Sequence, residues 1–170
     1  KERKEDDPLI IAGGPGAFNP EPLSRFIDLF VIGEGEEIVG EIIEVYKRWK
    51  EKKQSRAKLL EELARIEGIY VPSFYEITYF KDGRVKSITP KKETHYSVIK
   101  KQIISDFDKA AYPLFPIVPN IDVVHDRITL EIFRGCTRGC RFCQAGMIYR
   151  PVREKSADTL IGLADEILAH

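Results

Sequence analysis

Two short apolar runs and one helical stripe dominate the first fifty residues. The runs are 9–17, which ends in a glycine-rich turn, and 29–32, which leads into Gly33-Glu-Gly-Glu36. Apolar runs of this length bounded by glycine are typical of buried parallel strands. Between residues 36 and 53, apolar side chains recur at helical spacing: Ile38, Val39, Ile42, Ile43, Tyr46 and Trp49. Strand, glycine turn and helix predict part of a doubly wound α/β layer, in which ligands bind at the carboxyl ends of the strands.

The middle of the chain predicts a second helix, a β-hairpin and an extended connector. Ser55 is a suitable cap for a helix that Gly68 would close. Residues 74–88 alternate in β-like fashion around Asp82-Gly83, a dipeptide that favours a type I′ hairpin turn. Three prolines interrupt the stretch 112–119, which therefore predicts an extended connector rather than a helix.

A new unit is predicted from residue 127 onward. Residues 127–133 have β character and run into a cysteine-rich loop, and Ser156 can cap a final helix. The side chains expected to face inward from that helix are Leu160, Leu163, Ala164, Ile167 and Leu168. Strand, loop and helix are the opening unit of a βα-repeat domain. Because the chain opens on charged residues rather than Met and stops within this helix, we expect a segment of a longer protein.

Composition narrows the class of protein without naming a partner. The 27 basic and 27 acidic residues balance, so no global charge favours nucleic acid or a membrane surface. Hydrophobic residues make up 43% and charged residues 32%, as in globular proteins, and no apolar run has the length of a bilayer span. An odd, clustered set of 3 cysteines argues against a disulfide framework and for a reducing, cytoplasmic setting.

The cysteines are the strongest indication of chemistry. Cys136, Cys140 and Cys143 are separated by three and by two residues on one predicted loop. A structural zinc site needs four ligands, so His95 or His125 would have to supply the fourth, and a ferredoxin-type cluster also needs four cysteines. Three thiolates leave one iron of a four-iron cluster open to another ligand. A non-catalytic zinc or iron–sulfur module for assembly or electron relay remains the alternative.

This spacing, with aromatic Phe142 before the last cysteine and an apolar strand before the first, resembles the cluster motif of the radical S-adenosylmethionine (SAM) superfamily. The resemblance implies that Cys136, Cys140 and Cys143 hold a 4Fe–4S cluster whose fourth iron is chelated by SAM. It also implies reductive cleavage of SAM to a 5′-deoxyadenosyl radical, with Phe142 near the adenine. A flavodoxin- or ferredoxin-type reductant would supply the electron, and the substrate is unknown, with RNA or protein suggested by analogy.

The resemblance extends beyond the cysteines. Residues 134–153 are similar to an uncharacterised branch of the superfamily that carries a cobalamin-binding-like domain ahead of a partial TIM barrel. The turns at Gly13-Gly-Pro and Gly33-Glu-Gly-Glu36 resemble the last strands of that leading domain. The implied domains are 1–54, the end of the cobalamin-binding-like domain; 55–126, a linker region; and 127–170, the start of the barrel.

Two sets of residues keep two interpretations each. Gly13, Gly14, Gly33 and Gly35 either contact cobalamin or only permit tight turns, and the chain has no Asp-x-His-x-x-Gly sequence of the kind that cobalamin-binding relatives use. Five arginines surround the cysteines and either bind an anionic group or offset the charge of a thiolate-bound cluster: Arg134, Arg138, Arg141, Arg150 and Arg153.

Overall fold

The computed structural model describes residues 4–115, 120–122, 124 and 127–169. It is a mixed α/β structure with small sheets and, in these residues, four α-helices. Two compact units divide the chain between residues 103 and 104, and each is described by itself. The domain limits that the family resemblance implies stay a prediction.

The first unit is built on a three-stranded sheet. β1 (Ile11–Ala12) pairs in parallel with β2 (Leu29–Val31), and β2 pairs antiparallel with β3 (Ile69–Tyr70). β2 is the central strand and is buried throughout, as its apolar run predicts. The first predicted strand does pair in parallel, but it is not buried, because β1 has only two residues and Ile11 is half-exposed at the sheet edge.

Two helices cover one face of this sheet. They are α1 (Ile38–Lys52) and α2 (Arg56–Leu63), and alternate strand residues meet them in one core cluster. The buried members of that cluster are Leu29, Val31, Ile38, Ile42, Val45, Leu59, Leu63, Ile69 and Val71. The buried apolar face of α1 is narrower than predicted, because Val39, Ile43 and Tyr46 are exposed. Ser55 caps α2 as predicted, its hydroxyl accepting from the Lys58 amide.

The opposite face of the sheet is covered by short irregular segments. Here Phe30, Ile32 and Tyr70 pack with Ala17, from a 3₁₀ turn at Pro15–Phe18, and with Tyr75. The alternation along β2, with Leu29 and Val31 on the helix side and Phe30 and Ile32 on the other, follows from the two-residue period of a strand. The sheet therefore has a core on both faces.

A β-hairpin follows the sheet. β4 (Tyr75–Tyr79) and β5 (Val85–Pro90) pair antiparallel with an irregularity at Thr78/Tyr79. The predicted hairpin is confirmed, but its turn type is wrong: a type I′ turn needs positive φ at two central residues, and Gly83 has it while Asp82 does not. The prediction that Gly68 closes α2 is also wrong, because α2 ends at Leu63 and Ala64 is its C-cap.

The second unit contains the cysteine loop. β6 (Phe133–Arg134) pairs antiparallel with β7 (Arg153–Glu154), and α3 (Ala145–Ile148) lies between them in the chain. α4 (Ala157–Leu168) follows β7, and Ser156 caps it as predicted. The predicted strand 127–133 is shorter than expected, and Leu168 is exposed rather than inward. Part of the predicted connector, residues 116–119, lies outside the described residues.

Candidate functional site

The cysteine loop begins at a glycine that no other residue could replace without strain. Gly135 directly precedes Cys136 and has φ of 102°. A Cβ built there would lie 2.7 Å from the Pro151 carbonyl oxygen and 2.8 Å from that of Tyr149. The chain therefore leaves β6 pressed against the backbone of residues 149–152, and this close approach fixes where the loop starts.

The three cysteines are free thiols on the surface of the second unit. Cys136 and Cys143 are half-buried and Cys140 is exposed. The Arg138 amide donates to the Cys136 sulfur at 3.4 Å, and the Cys143 amide donates to the Cys140 carbonyl at 3.1 Å. The loop is thus folded by a few backbone hydrogen bonds of its own.

Cysteine sulfur is the donor that iron–sulfur clusters use, and three free cysteines are enough to ligate three irons. Among the described residues, no three His, Cys, Asp or Glu side chains are gathered as a group that could hold a metal ion. The donors therefore fit the cluster chemically, and binding would have to draw them together. Coupling of metal binding to local folding is common for sites of this kind.

Phe142 projects from the loop beside an open cleft. Its side chain is 93% exposed, which is unusual for an aromatic ring and leaves an apolar face uncovered. The cleft has a volume of about 400 Å³ and is lined by residues of the loop and of α3: Arg138, Gly139, Cys140, Arg141, Phe142, Cys143, Gln144, Gly146 and Met147. A contact of Phe142 with SAM stays a prediction.

The arginines around the cysteines separate into two kinds. Arg134 donates to both carboxylate oxygens of Glu131, at 2.8 and 2.7 Å, and its guanidinium lies over the Phe107 ring, as does that of Arg153. These two arginines therefore hold the base of the loop together. Arg138 and Arg141 are exposed at the cleft, where a positive charge can act on a bound anion or cluster.

The glycines weighed as cobalamin contacts lie at one edge of the sheet. Gly13 and Gly14 follow β1, while Gly33 and Gly35 follow β2, and the two strands run parallel. Gly33 has a structural reason of its own: its φ is 114°, and a Cβ there would lie 2.2 Å from the Gln102 carbonyl oxygen. Contact of these residues with cobalamin stays a prediction.

The histidines considered as a fourth zinc ligand do not form a site in the described residues. His95 belongs to the first unit and stacks on the Phe74 ring, with centroids 4.3 Å apart and planes 5° from parallel. His125 lies outside the described residues.

Residues 1–72 match the family model described as radical SAM proteins, N-terminal. These residues are similar to the N-terminal domain of radical SAM proteins, and the match supports the superfamily that the cysteine motif resembles. The match covers all three strands of the first sheet together with α1 and α2. It lies upstream of the cysteine loop, so the family match and the cysteine motif rest on different parts of the chain.

A curated relative of this chain is uncharacterized protein MJ0966 of Methanocaldococcus jannaschii. The two are 31% identical over 171 residues, which is 98% of this chain and 30% of the relative. The chain thus spans less than a third of the length of that relative. No solved structure matches this chain significantly. In the part of the chain that the structure describes, no helix combines the length and apolar character needed to cross a membrane.

Sequence reasoning missed the residues that hold the base of the loop. Gly135 stands between Arg134 and Cys136, and its positive φ is not visible in a short Arg-Gly-Cys sequence. Lys155 bonds to Phe107, and Ser156 bonds to Asp108, each across 48 positions of sequence. No local pattern joins residues so far apart. The only available signal was the cap sequence at Ser156, whose carboxylate partner comes from a distant segment.

Proposed function

We propose that this chain is the cluster-binding part of a radical SAM enzyme, with Cys136, Cys140 and Cys143 as ligands of a 4Fe–4S cluster. The cysteine loop itself carries the proposal. It has three free thiols within eight positions, beside an open cleft, in a chain whose first 72 residues match the family model described as radical SAM proteins, N-terminal. Three ligands leave one iron for SAM, which a closed four-cysteine site would not.

The residues of this chain would bind and orient rather than carry out the whole reaction. When bound, such a cluster supplies the electron that cleaves SAM to methionine and a 5′-deoxyadenosyl radical. Phe142 offers its uncovered ring to the adenine, and Arg138 and Arg141 offset negative charge at the cleft. A reductant of the flavodoxin or ferredoxin class and a substrate outside this segment complete the proposal.

The finer architecture is part of the same proposal. Residues 1–54 would be the end of a cobalamin-binding-like doubly wound domain, and 127–170 the first βα unit of a partial TIM barrel. Two features support it: parallel β1 and β2 bring their glycine turns to one sheet edge, and β6, the cysteine loop and α4 follow one another in the chain. Cobalamin, if bound, would meet Gly13, Gly14 or Gly35 more easily than Gly33, which faces Gln102.

Anaerobic reconstitution of the full-length protein with iron and sulfide tests the proposal. We expect about four irons per chain and, after reduction in the presence of SAM, formation of 5′-deoxyadenosine. Cys140→Ala should lose both the cluster and this product, because one of three thiolate ligands is gone.

Thr137→Ala is the matched control for this experiment. Thr137 is exposed in the same loop between two cysteines and offers no thiolate, so its removal should leave iron content and product unchanged. Stoichiometric zinc without iron uptake would instead support the non-catalytic zinc module. Iron uptake without any 5′-deoxyadenosine would support an electron-relay module.

A further inference from the structure

The cysteine loop is closed at its base by two strands that carry like charges. Arg134 of β6 lies directly opposite Arg153 of β7, and the Lys155 amide extends the pairing by donating to the Ile132 carbonyl at 2.9 Å. Like charges opposite each other on neighbouring strands repel and weaken the pair. An attraction other than the backbone hydrogen bonds between β6 and β7 must therefore stabilise this junction.

The ring of Phe107 lies among the three cations of the junction. The centroid is 4.8 Å from the Arg134 guanidinium carbon, 5.6 Å from that of Arg153 and 4.8 Å from the Lys155 nitrogen. Phe107 is only 4% exposed, and cation–π attraction is strongest where water is excluded. A single aromatic ring thus attracts charges that would otherwise push the two strands apart.

Lys155 ties the backbone of the same segment to β7. It is 6% exposed, and its ammonium donates to the carbonyl oxygens of Phe107, Asp108 and Ala110 at 2.7, 3.3 and 3.5 Å. A buried ammonium is costly unless it is hydrogen-bonded, and three carbonyl acceptors meet that need. The segment 107–110 is therefore held through its main chain as well as through its ring.

Asp108 holds the start of α4, immediately after β7. Its carboxylate accepts from the Ser156 amide at 2.6 Å, from the Ser156 hydroxyl at 2.9 Å and from the Thr159 hydroxyl at 2.9 Å. The Ser156 hydroxyl in turn accepts from the Thr159 amide at 3.2 Å. A carboxylate at a helix N-terminus also interacts favourably with the helix dipole.

We propose that residues 107–110 form a clamp that positions the cysteine loop, with Phe107 joining the two ends of the loop and Asp108 fixing the helix that follows it. The clamp acts on the cysteines through Arg134, Arg153, Lys155 and α4, so its members are positioning residues. Its importance for cluster binding rests on the function proposed above, whereas its effect on the order of the loop does not.

Trypsin cleavage of the metal-free 170-residue chain tests the clamp, because exposed Arg138 and Arg141 offer cleavage sites within the loop. In Asp108→Ala we expect cleavage after these two residues to accelerate roughly fivefold or more, the factor that corresponds to loss of a helix cap. Asp108→Asn keeps one oxygen for the Ser156 amide and should fall between this variant and the wild type.

Asp106→Ala is the matched control. Asp106 lies outside the clamp, two positions before Asp108, and its carboxylate accepts from the amide and the ammonium of Lys109, so cleavage in the loop should not change. The fluorescence of Trp49, the chain's single tryptophan, reports the unfolding of the first unit and should be the same in all variants. Equal cleavage in Asp108→Ala and wild type, equal acceleration in Asp106→Ala, or an earlier Trp49 transition in Asp108→Ala would each overturn the clamp.

Iron uptake by the same variants separates the two proposals. If the clamp orders the ligands, the electron paramagnetic resonance signal of the reduced, reconstituted Asp108→Ala chain should be broader than that of wild type and Asp106→Ala. Failure of the wild type to take up iron would count against the proposed function alone, since the proteolysis comparison decides the clamp without metal.

Discussion

At the scale of single residues, the surrounding backbone can require a glycine where a ligand contact would otherwise be invoked. Gly135 shows this most directly, because three backbone atoms of residues 149–152 lie within 2.9 Å of where its Cβ would be. Gly139, four positions later in the same loop, has no heavy atom within 4 Å. The two glycines differ in what a methyl group would meet, although both flank cysteines.

We therefore expect Gly135→Ala and Gly139→Ala to differ sharply. A side chain at positive φ costs about 1–3 kcal/mol, and the clash with Tyr149 and Pro151 adds to it, so β6 and β7 should separate more often. Hydrogen exchange of the Lys155 amide should accelerate roughly tenfold or more in Gly135→Ala and stay unchanged in Gly139→Ala. Equal rates in both variants would show that the close approach does not matter.

A second pair of glycines predicts effects of opposite sign in the first unit. Gly33→Ala places a methyl group 2.2 Å from the Gln102 carbonyl oxygen, at φ of 114°, and should lower the free energy of unfolding by about 3 kcal/mol. Gly40 lies exposed within α1 with open space around it, so Gly40→Ala should raise that free energy by about 0.5–1 kcal/mol. Urea unfolding followed by Trp49 fluorescence measures both, and a loss in both variants would contradict the argument.

At the scale of elements, α4 owes its start to a carboxylate from another segment. The hydrogen bond from the Ser156 amide holds the pKa of Asp108 below its ordinary value, with smaller contributions from the hydroxyls of Thr159 and Ser156 and from the charge of Lys155. Because the folded-state pKa is depressed, the stabilisation is fully present above the unfolded-state pKa. It is lost as the pH falls through the folded-state pKa.

This predicts an acid-sensitive helix start. Between pH 7 and pH 5, hydrogen exchange of the Thr159 amide should be slower in wild type than in Asp108→Asn, after correction for intrinsic exchange. Below about pH 3.8, the ordinary pKa of an aspartate, the difference should shrink as Asp108 is protonated. Asp106 also has a lowered pKa, through Lys109, so Asp106→Asn is the control for titration of the segment. A difference that persists at low pH would contradict this assignment.

At the scale of the whole molecule, local sequence patterns predicted which helices and strands form better than they predicted how long each element is or what it pairs with. The caps at Ser55 and Ser156, the buried β2 and the hairpin were readable because each depends on residues close together in sequence. β1 and β6 came out shorter because strand length depends on pairing partners, which apolar runs do not reveal. The cysteine loop was recognisable from its spacing, whereas its clamp required contacts between residues up to 51 positions apart.

The same scale predicts different behaviour of the two units as separate pieces. Fourteen described hydrophobic side chains are buried in residues 1–103, in two clusters on the faces of one sheet, against four in residues 104–170. Small domains with few buried apolar groups rarely offset the entropy of folding without a metal or another staple. The piece 1–103 should therefore unfold cooperatively in urea, with Trp49 as the probe, whereas 104–170 should show a broad, weakly cooperative change in circular dichroism. Anaerobic iron and sulfide should sharpen the unfolding transition of 104–170 but not that of its Cys140→Ala variant, because cluster binding would supply stability that the apolar core lacks. A sharp transition of 104–170 without metal would contradict this prediction.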